Sequence, residues 1–414
     1  MTVTTASFRA ISRRANLGHA NLGRRVAVPL LLLLTAALAA CSVGDAGPRG
    51  QQTPIAAGTS AAAAPVTVVP LDQASGTPGQ VSGAGEAVKV ALLVPTSGAQ
   101  SALGQALQDA AQLAVFEVAD KSFTLTTYDT GDSASGAAAA ARKATGEGAK
   151  LLLGPVFGPA TRAVAPAAGG VGVVSFSNDP SVAGGGVYLL GFQPRDQVAR
   201  VVGYAASKGM KRIALLAPGN DYGRLVAEAL AGAATRHGVT VPQSRLYNPR
   251  GTDVDAEARA LAQAGDFDAV LVPEGGARLR QIAQTLKSVK LLGTGQWDDA
   301  ATTSIPGLAG AWFATSAPEQ YAEFVKRYQR TYGKPPPRLA TVAYDATALA
   351  AVLGRGGDFG PSALASPNGF AGIDGIFRFG PDGVSERGLA VYEITEGGRR
   401  VVDPAPTSFQ GLTN

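Results

Sequence analysis

From Val88 onward the chain repeats one pattern: a short apolar run, then an Ala-rich stretch of helical period. VKVALLVP (88–95) is a compact apolar run closed by Pro, suited to a strand buried on both faces. SALGQALQDAAQLAVFEVA (101–119) places Leu103, Leu107, Ala110, Ala114 and Val118 near helical spacing. The rhythm continues through FTLTTYDT, ASGAAAAARKATGEG, KLLLGPV, PATRAVAPAAGG and VGVVSFSND. It resumes at KRIALLAP, DYGRLVAEALAGAATRHG, AEARALAQAG, DAVLVPEGG, ARLRQIAQTLKS and VKLLGTG. Strands alternating with helices of 10–15 residues fold as parallel sheets with helices on both faces, so the expected class is α/β. Well over 300 residues exceed what one such sheet holds, which predicts two Rossmann-like lobes. Phe192-Gln193-Pro194-Arg195 interrupts the rhythm and reads as a crossover. Near the end, IFRFGPDGVSERGLAVYEI reads as two strands around the turn Gly380-Pro381-Asp382-Gly383.

The first 86 residues differ. Basic residues Arg13, Arg14, Arg24 and Arg25 precede the apolar run VAVPLLLLLTAALAA, which ends at Leu38-Ala39-Ala40-Cys41. A basic region, a short apolar core and small residues before a cut describe a secretory signal. The run is shorter than the ~20 residues of a membrane span. Its ending resembles a bacterial lipobox, which implies lipidation of Cys41 as the mature N-terminus. Ser42 in the next position implies the outer rather than the inner membrane. An ordinary signal peptide or a transmembrane anchor that contains a Cys is the plainer alternative. From Ser42 to about Glu86 the chain is Ala, Gly, Ser, Thr, Gln and Pro, with too little apolar surface to fold. The expectation is a disordered tether, roughly 35–40 Å long as a coil and about 150 Å if stretched.

Five of the 36 basic residues lie in 1–40 with no acidic partner, leaving 31 basic against 31 acidic residues. The basic isoelectric point thus belongs to the signal, and nucleic-acid binding has no support. Only His237 remains beyond the signal, which excludes a Cys/His zinc site and would force any Ser-His-Asp triad to use it. In Thr235-Arg236-His237-Gly238 that residue reads as a helix C-terminus. No GxxxxGK[ST] or strand-linked GxGxxG occurs, so no nucleotide cofactor is expected.

The motifs VALLVPTSG, LLLGPVFGPAT, VVSFSNDP, GFQPRDQVARVV and APGNDYGR, with the closing strand pair, resemble the leucine-binding-like branch of type I periplasmic binding proteins. FAGIDGIFRFGPDG, LAVYEI and VDPAP make the chain similar to lipoproteins called penicillin-binding-protein activators. The resemblance implies a signal over 1–40, a tether over 41–86, lobe one from 87–195 plus 318–371, lobe two from 196–317 plus 372–404, a tail over 405–414, and three interlobe crossings. It implies a non-catalytic periplasmic lipoprotein, held to the membrane by its lipid alone, with a penicillin-binding protein as partner in peptidoglycan synthesis. The alternative is a receptor that delivers amino acids or amides to an ABC permease.

In open α/β sheets a ligand sits beyond the carboxyl ends of the strands. That selects Ser97, whose neighbouring N–H groups open a helix and could receive an anion, or serve only as a cap. After the third strand come Val156, Phe157, Gly158 and Pro159, where the receptor family is expected to use hydroxyls; Thr161 is the nearest one here. Ser175, Ser177 and Asn178 follow the fourth strand, as ligand partners or as turn chemistry. In the second lobe Tyr222 matches the aromatic residue of a ligand-covering DYG motif, with helix-start packing as the alternative. Glu274, Trp297 and Asp298 lie at later strand ends, where a carboxylate could meet a ligand ammonium. Asp298 and Asp299 equally suit helix capping, and Glu274 with Asp298 could form a hydrolytic carboxylate pair.

Overall fold

The computed structural model describes residues 69–70 and 87–410. The signal, Cys41 and nearly all of the expected tether lie outside them. Strand β1 (Val69–Pro70) is the exception within the tether. The first lobe is built from β2 (Val88–Val94), α1 (Ser101–Val118), β3 (Phe123–Asp129), α2 (Ala134–Gly146), β4 (Leu151–Leu153), α3 (Gly158–Ala167), β5 (Gly172–Ser175) and β6 (Val187–Leu189). Its sheet is wholly parallel, in the order β3-β2-β4-β5-β6. The apolar runs identified from sequence become the central strands because both faces are covered. Leu92 and Val94 pack towards α1, while Ala91 and Leu93 pack towards α2 and α3.

The chain then crosses at Leu190–Gln193 into α4 (Pro194–Ser207), β7 (Ile213–Pro218), α5 (Asp221–His237), β8 (Ser244–Tyr247), α6 (Val254–Ala264), β9 (Ala269–Leu271), α7 (Gly276–Thr285), β10 (Lys290–Gly293), α8 (Ala300–Thr303) and β11 (Trp312–Thr315). Helix α5 shows how local chemistry fixes an element. Asn220 caps its start by accepting from Gly223 N, and Gly238, at φ 62°, ends it behind Arg236 and His237. The His237 ring lies against Gly203 of α4. Edge strand β8 has only one fully buried residue, Tyr247, and its sequence shows no apolar run to betray it.

A second crossing at Ser316–Ala317 returns the chain to lobe one as α9 (Pro318–Tyr332), α10 (Ala340–Gly354), α11 (Pro361–Leu364), β12 (Phe370–Gly372), β13 (Gly375–Phe379) and β14 (Ser385–Arg387). Helix α10 is apolar almost all round and lies against α1 in the lobe-one core. The third crossing, Gly388–Leu389, leads to β15 (Ala390–Thr395) and β16 (Gly398–Asp403). These two strands add antiparallel to the lobe-two sheet, ordered β16-β15-β11-β10-β9-β7-β8.

Two expectations shift. The return to lobe two comes at 388, not after 371, because Phe377 and Phe379 of β13 are buried in the lobe-one core and Val384 packs with β6. The hairpin around 380–383 forms, with Phe379 opposite Ser385, but its second arm breaks at Gly388 and only the far half joins lobe two. The stretch expected to be wholly a tether also contributes β1, which pairs antiparallel with β12, Val69 opposite Ala371 and Pro70 opposite Phe370. The small sheet is therefore β1-β12-β13-β14.

Candidate functional site

The loops after β2, β4 and β5 in one lobe and after β7, β9 and β10 in the other stand at the carboxyl ends of two parallel sheets. Among the described residues, no hydrogen bond or ion pair joins loops 95–100, 154–158 and 176–179 to loops 219–222, 273–276 and 294–297. The bonds between lobes gather at the crossings instead. Arg195 pairs with Asp382 at 2.9 Å, Asp196 accepts from Arg387 N at 3.1 Å, and Tyr392 donates to Ser316 O at 2.8 Å.

The lobe-one loops are largely occupied by the protein itself. Asp129 Oδ1 accepts from Thr96 N (2.9 Å), Ser97 N (3.2 Å) and Gly131 N (2.9 Å), and Ser97 Oγ donates to Oδ2 at 2.5 Å. The Ser97 hydroxyl and the Gly131 N–H lead in holding the Asp129 carboxyl down, at about 2. Asp132 accepts from Ala99 N and, at 3.3 Å, from Gln100 N. The N–H groups expected to be open to an anion are thus taken by two side-chain carboxylates from the end of β3. Asp129 and Asp132 lie in YDTGDS, where an Asp two residues before Gly signals a turn; the sequence reading placed no function there.

Ser175 is fully buried and already committed: Oγ donates to Pro155 O (3.0 Å), lies 2.7 Å from Thr161 Oγ1, and accepts from Ser177 N (3.1 Å). Ser177 Oγ accepts from Asp179 N at 3.1 Å. Both hydroxyls make contacts within their own loop. Asn178 is exposed. Phe157 begins α3 and keeps 44% of its surface exposed, the only large apolar group offered by these loops.

In lobe two, Tyr222 is half-buried at the start of α5, its hydroxyl 3.0 Å from Thr294 Oγ1. Burial raises its pKa, against the bond to Thr294. Glu274 Oε2 accepts from Tyr247 Oη, and its Oε1 from Gly275 N at 3.1 Å. Burial first, then Glu274, pushes the Tyr247 hydroxyl up. Trp297 is completely buried: its indole N–H donates to Glu274 O at 2.8 Å and its ring packs towards Phe313. It is a core residue that positions the Glu274 loop rather than a ligand contact. Asp298 pairs with Arg399, accepts from Thr315 Oγ1 at 3.1 Å, and faces Arg338 of lobe one at 3.9 Å. It is a joint between elements, and Asp299 caps α8 through Thr302 N. With both carboxylates so engaged, Glu274 and Asp298 do not form a free acid pair. A separate groove of about 790 Å³ runs along α4 and α5 beside Arg236, His237, Glu386 and Phe409, and none of the ligand-contact candidates at the strand ends lines it.

Residues 87–399 match the model of a family described as periplasmic binding protein. A protein from Rhodospirillum rubrum, assigned as a branched-chain amino acid ABC transporter, is 21% identical and superposes with a TM-score of 0.68, covering 76% of this chain and 100% of its own. The branched-chain amino acid transporter substrate-binding protein of Streptococcus pneumoniae, solved with isoleucine, is 22% identical with a TM-score of 0.56, covering 77% of this chain and all of its own. At these identities the likeness is one of fold. An uncharacterised protein of Rickettsia prowazekii is 20% identical over 182 residues, and the chain spans about half the length (48%) of that relative.

Proposed function

The chain belongs to the periplasmic binding protein family, and on that premise we propose that it is a non-catalytic solute receptor that serves an ABC permease outside the cytoplasm. The observation that carries this reading is the placement of the interlobe bonds. They lie at the three crossings, with Arg338–Asp298 at 3.9 Å beside the second, while loops 95–100, 154–158 and 176–179 make none with loops 219–222, 273–276 and 294–297, so the lobes have a hinge to close about a small molecule.

The cargo class follows from the walls. A solute carboxylate would find the N–H groups before α1 already bound to Asp129 and Asp132. An ammonium or amide N–H would instead meet carboxylate oxygens, with the exposed Phe157 ring beside an apolar body and Tyr222 on the opposing lobe. An amino acid amide or a related small amide fits this better than a free diacid. Cys41 serves as the lipid anchor in this reading, and a Cys41→Ala chain that still fractionates with membranes would end that part of it.

The test is a thermal-shift screen of residues 42–414 against amino acids, their amides and muropeptides. A solute at 100 times its Kd stabilises the native state by about 2.7 kcal/mol, which a melting curve resolves. A shift with an amide, lost in Tyr222→Ala, supports the receptor; silence across the panel counts against it. The occupied donors of the lobe-one loops also favour a second reading, in which the domain docks on and activates a penicillin-binding protein and carries no solute. Capture of a purified penicillin-binding protein by the chain, with no thermal shift, would select it.

A further inference from the structure

All three crossings meet one buried group of charges. Arg387 is the last residue of β14 before the third crossing. Its backbone N–H reaches lobe two, donating to Asp196 on α4. Its guanidinium points the other way, into lobe one. There Nη2 donates to Leu190 O at the first crossing (2.8 Å), and the head lies 5.4 Å from the rings of both Phe192 and Phe377. Nη1 faces Asp345 Oδ2 of α10 at 4.0 Å, with the two side chains 1% and 0% exposed. Arg387 Nε, Arg387 Nη1 and Asp345 Oδ2 have no hydrogen-bond partner. Next to them the matching pair is complete. Arg338 Nη2 donates to Asp374 at 2.5 Å and to Ser316 Oγ of the second crossing at 3.1 Å, and Thr341 Oγ1 donates to Asp374 at 2.5 Å.

One of two neighbouring buried pairs is therefore closed and the other is stretched. Asp345 cannot move far: Oδ1 accepts from Ile373 N at 2.9 Å, and the Gly372 α-carbon packs so closely that a Cβ there would lie 2.6 Å from Oδ2. The mobile partner is Arg387, carried by the strand that leads into the crossing. A shift of about 1 Å would bring Nη1 into hydrogen-bond range. We propose that Arg387 and Asp345 form a hinge latch, apart in the lobe arrangement described here and joined when rotation about the crossings moves β14 towards α10. The groups that face Asp345 are Arg387 from β14, Asp374 from the turn before β13, Arg338 from the loop before α10, and Tyr344 on its own helix. Burial foremost, then Asp374, pushes the Asp345 carboxyl up to about 7, against Arg387. Only the ionised carboxylate gains from a joined Arg387, so joining is favoured above neutral pH and lost below it.

The test needs no ligand, so its failure leaves the receptor reading untouched. The full chain, with Cys41→Ser and spin labels at Gln112→Cys and Gln284→Cys, reports the interlobe distance. The latch predicts a second distance population at pH 8.5 that falls at least roughly fivefold by pH 6, within the tenfold per pH unit that one proton allows. Asp345→Asn fixes the pH 6 distribution at both values. Asp196→Asn, which still accepts from Arg387 N, keeps the response. A distribution indifferent to pH overturns the latch, as does a response that survives Asp345→Asn or vanishes in Asp196→Asn. Should Asp345→Asn not fold, the Asp345 carboxyl carbon resonance in the unsubstituted chain decides: a midpoint below about 5, close to an ordinary carboxyl, refutes it.

Discussion

Trp297 offers the sharpest test of how the lobe-two loops are built. Its indole is wholly enclosed, packs towards Phe313, and donates its only N–H to Glu274 O at 2.8 Å. Trp297→Ala removes the ring and leaves a cavity, which costs about 3–5 kcal/mol in well-packed interiors. The Glu274 carbonyl loses its donor, adding about 1–3 kcal/mol if water does not replace it. We expect a combined loss of about 4–8 kcal/mol. At a slope of roughly 3 kcal/mol per molar urea the unfolding midpoint falls by about 1.3–2.7 M, read by far-UV circular dichroism. Trp297→Phe keeps most of the packing and loses the N–H, so it should cost about 1–3 kcal/mol. A Trp297→Ala protein within about 1 kcal/mol of the parent, at unchanged slope, would refute the core assignment. So would a stable variant that had lost ligand binding, which would return Trp297 to the ligand wall.

Other outcomes follow from the same geometry. Asp129 has a folded pKa lowered from 3.8 to about 2, so it adds stability that is present above about pH 4 and disappears as pH falls through 2. Asp129→Asn should be destabilised by about 1 kcal/mol at pH 7, after allowing for solvent screening, and match the parent at pH 2. Ser175→Ala orphans Ser177 N and loosens Thr161 Oγ1, a cost of about 1–3 kcal/mol in chemical denaturation. A Cβ at Gly293 would sit inside the Trp297 indole, so Gly293→Ala should lower the melting temperature well beyond an ordinary surface substitution. Tyr222→Phe loses the hydroxyl's contacts with Thr294 and Gln296, about 0.5–1.5 kcal/mol of stability. Tyr222→Ala should weaken the cargo found in the screen roughly tenfold or more by calorimetry.

The fold was legible because its central strands are apolar enough to stand out: VKVALLV, LLL and IALLAP are buried along nearly their whole length. Strand β8, SRLY, has no such run because an edge strand keeps one side in water. The third crossing was displaced by 17 residues, since a hairpin signal does not say which core takes each arm. Phe377 and Phe379 settle that by burial in lobe one. Site residues were less legible. Placing a serine or tryptophan at a strand end is within reach of pattern reasoning. Knowing that the Ser175 hydroxyl is spent on Pro155 and Thr161, or that Trp297 turns inward, requires the partners' positions. Arg338, Arg387 and Asp345 went unread for the same reason: they lie far apart in sequence and meet only where the crossings converge.

The pairing of Val69 with Ala371 ties a segment that precedes Val88 in the chain to β12 rather than to β2. A pull on the chain at Val69 would reach the fold at β12, through the small sheet, before it could reach β2 and the central strands. Such a pull would be borne by lobe one, with the lobe-two sheet outside its path.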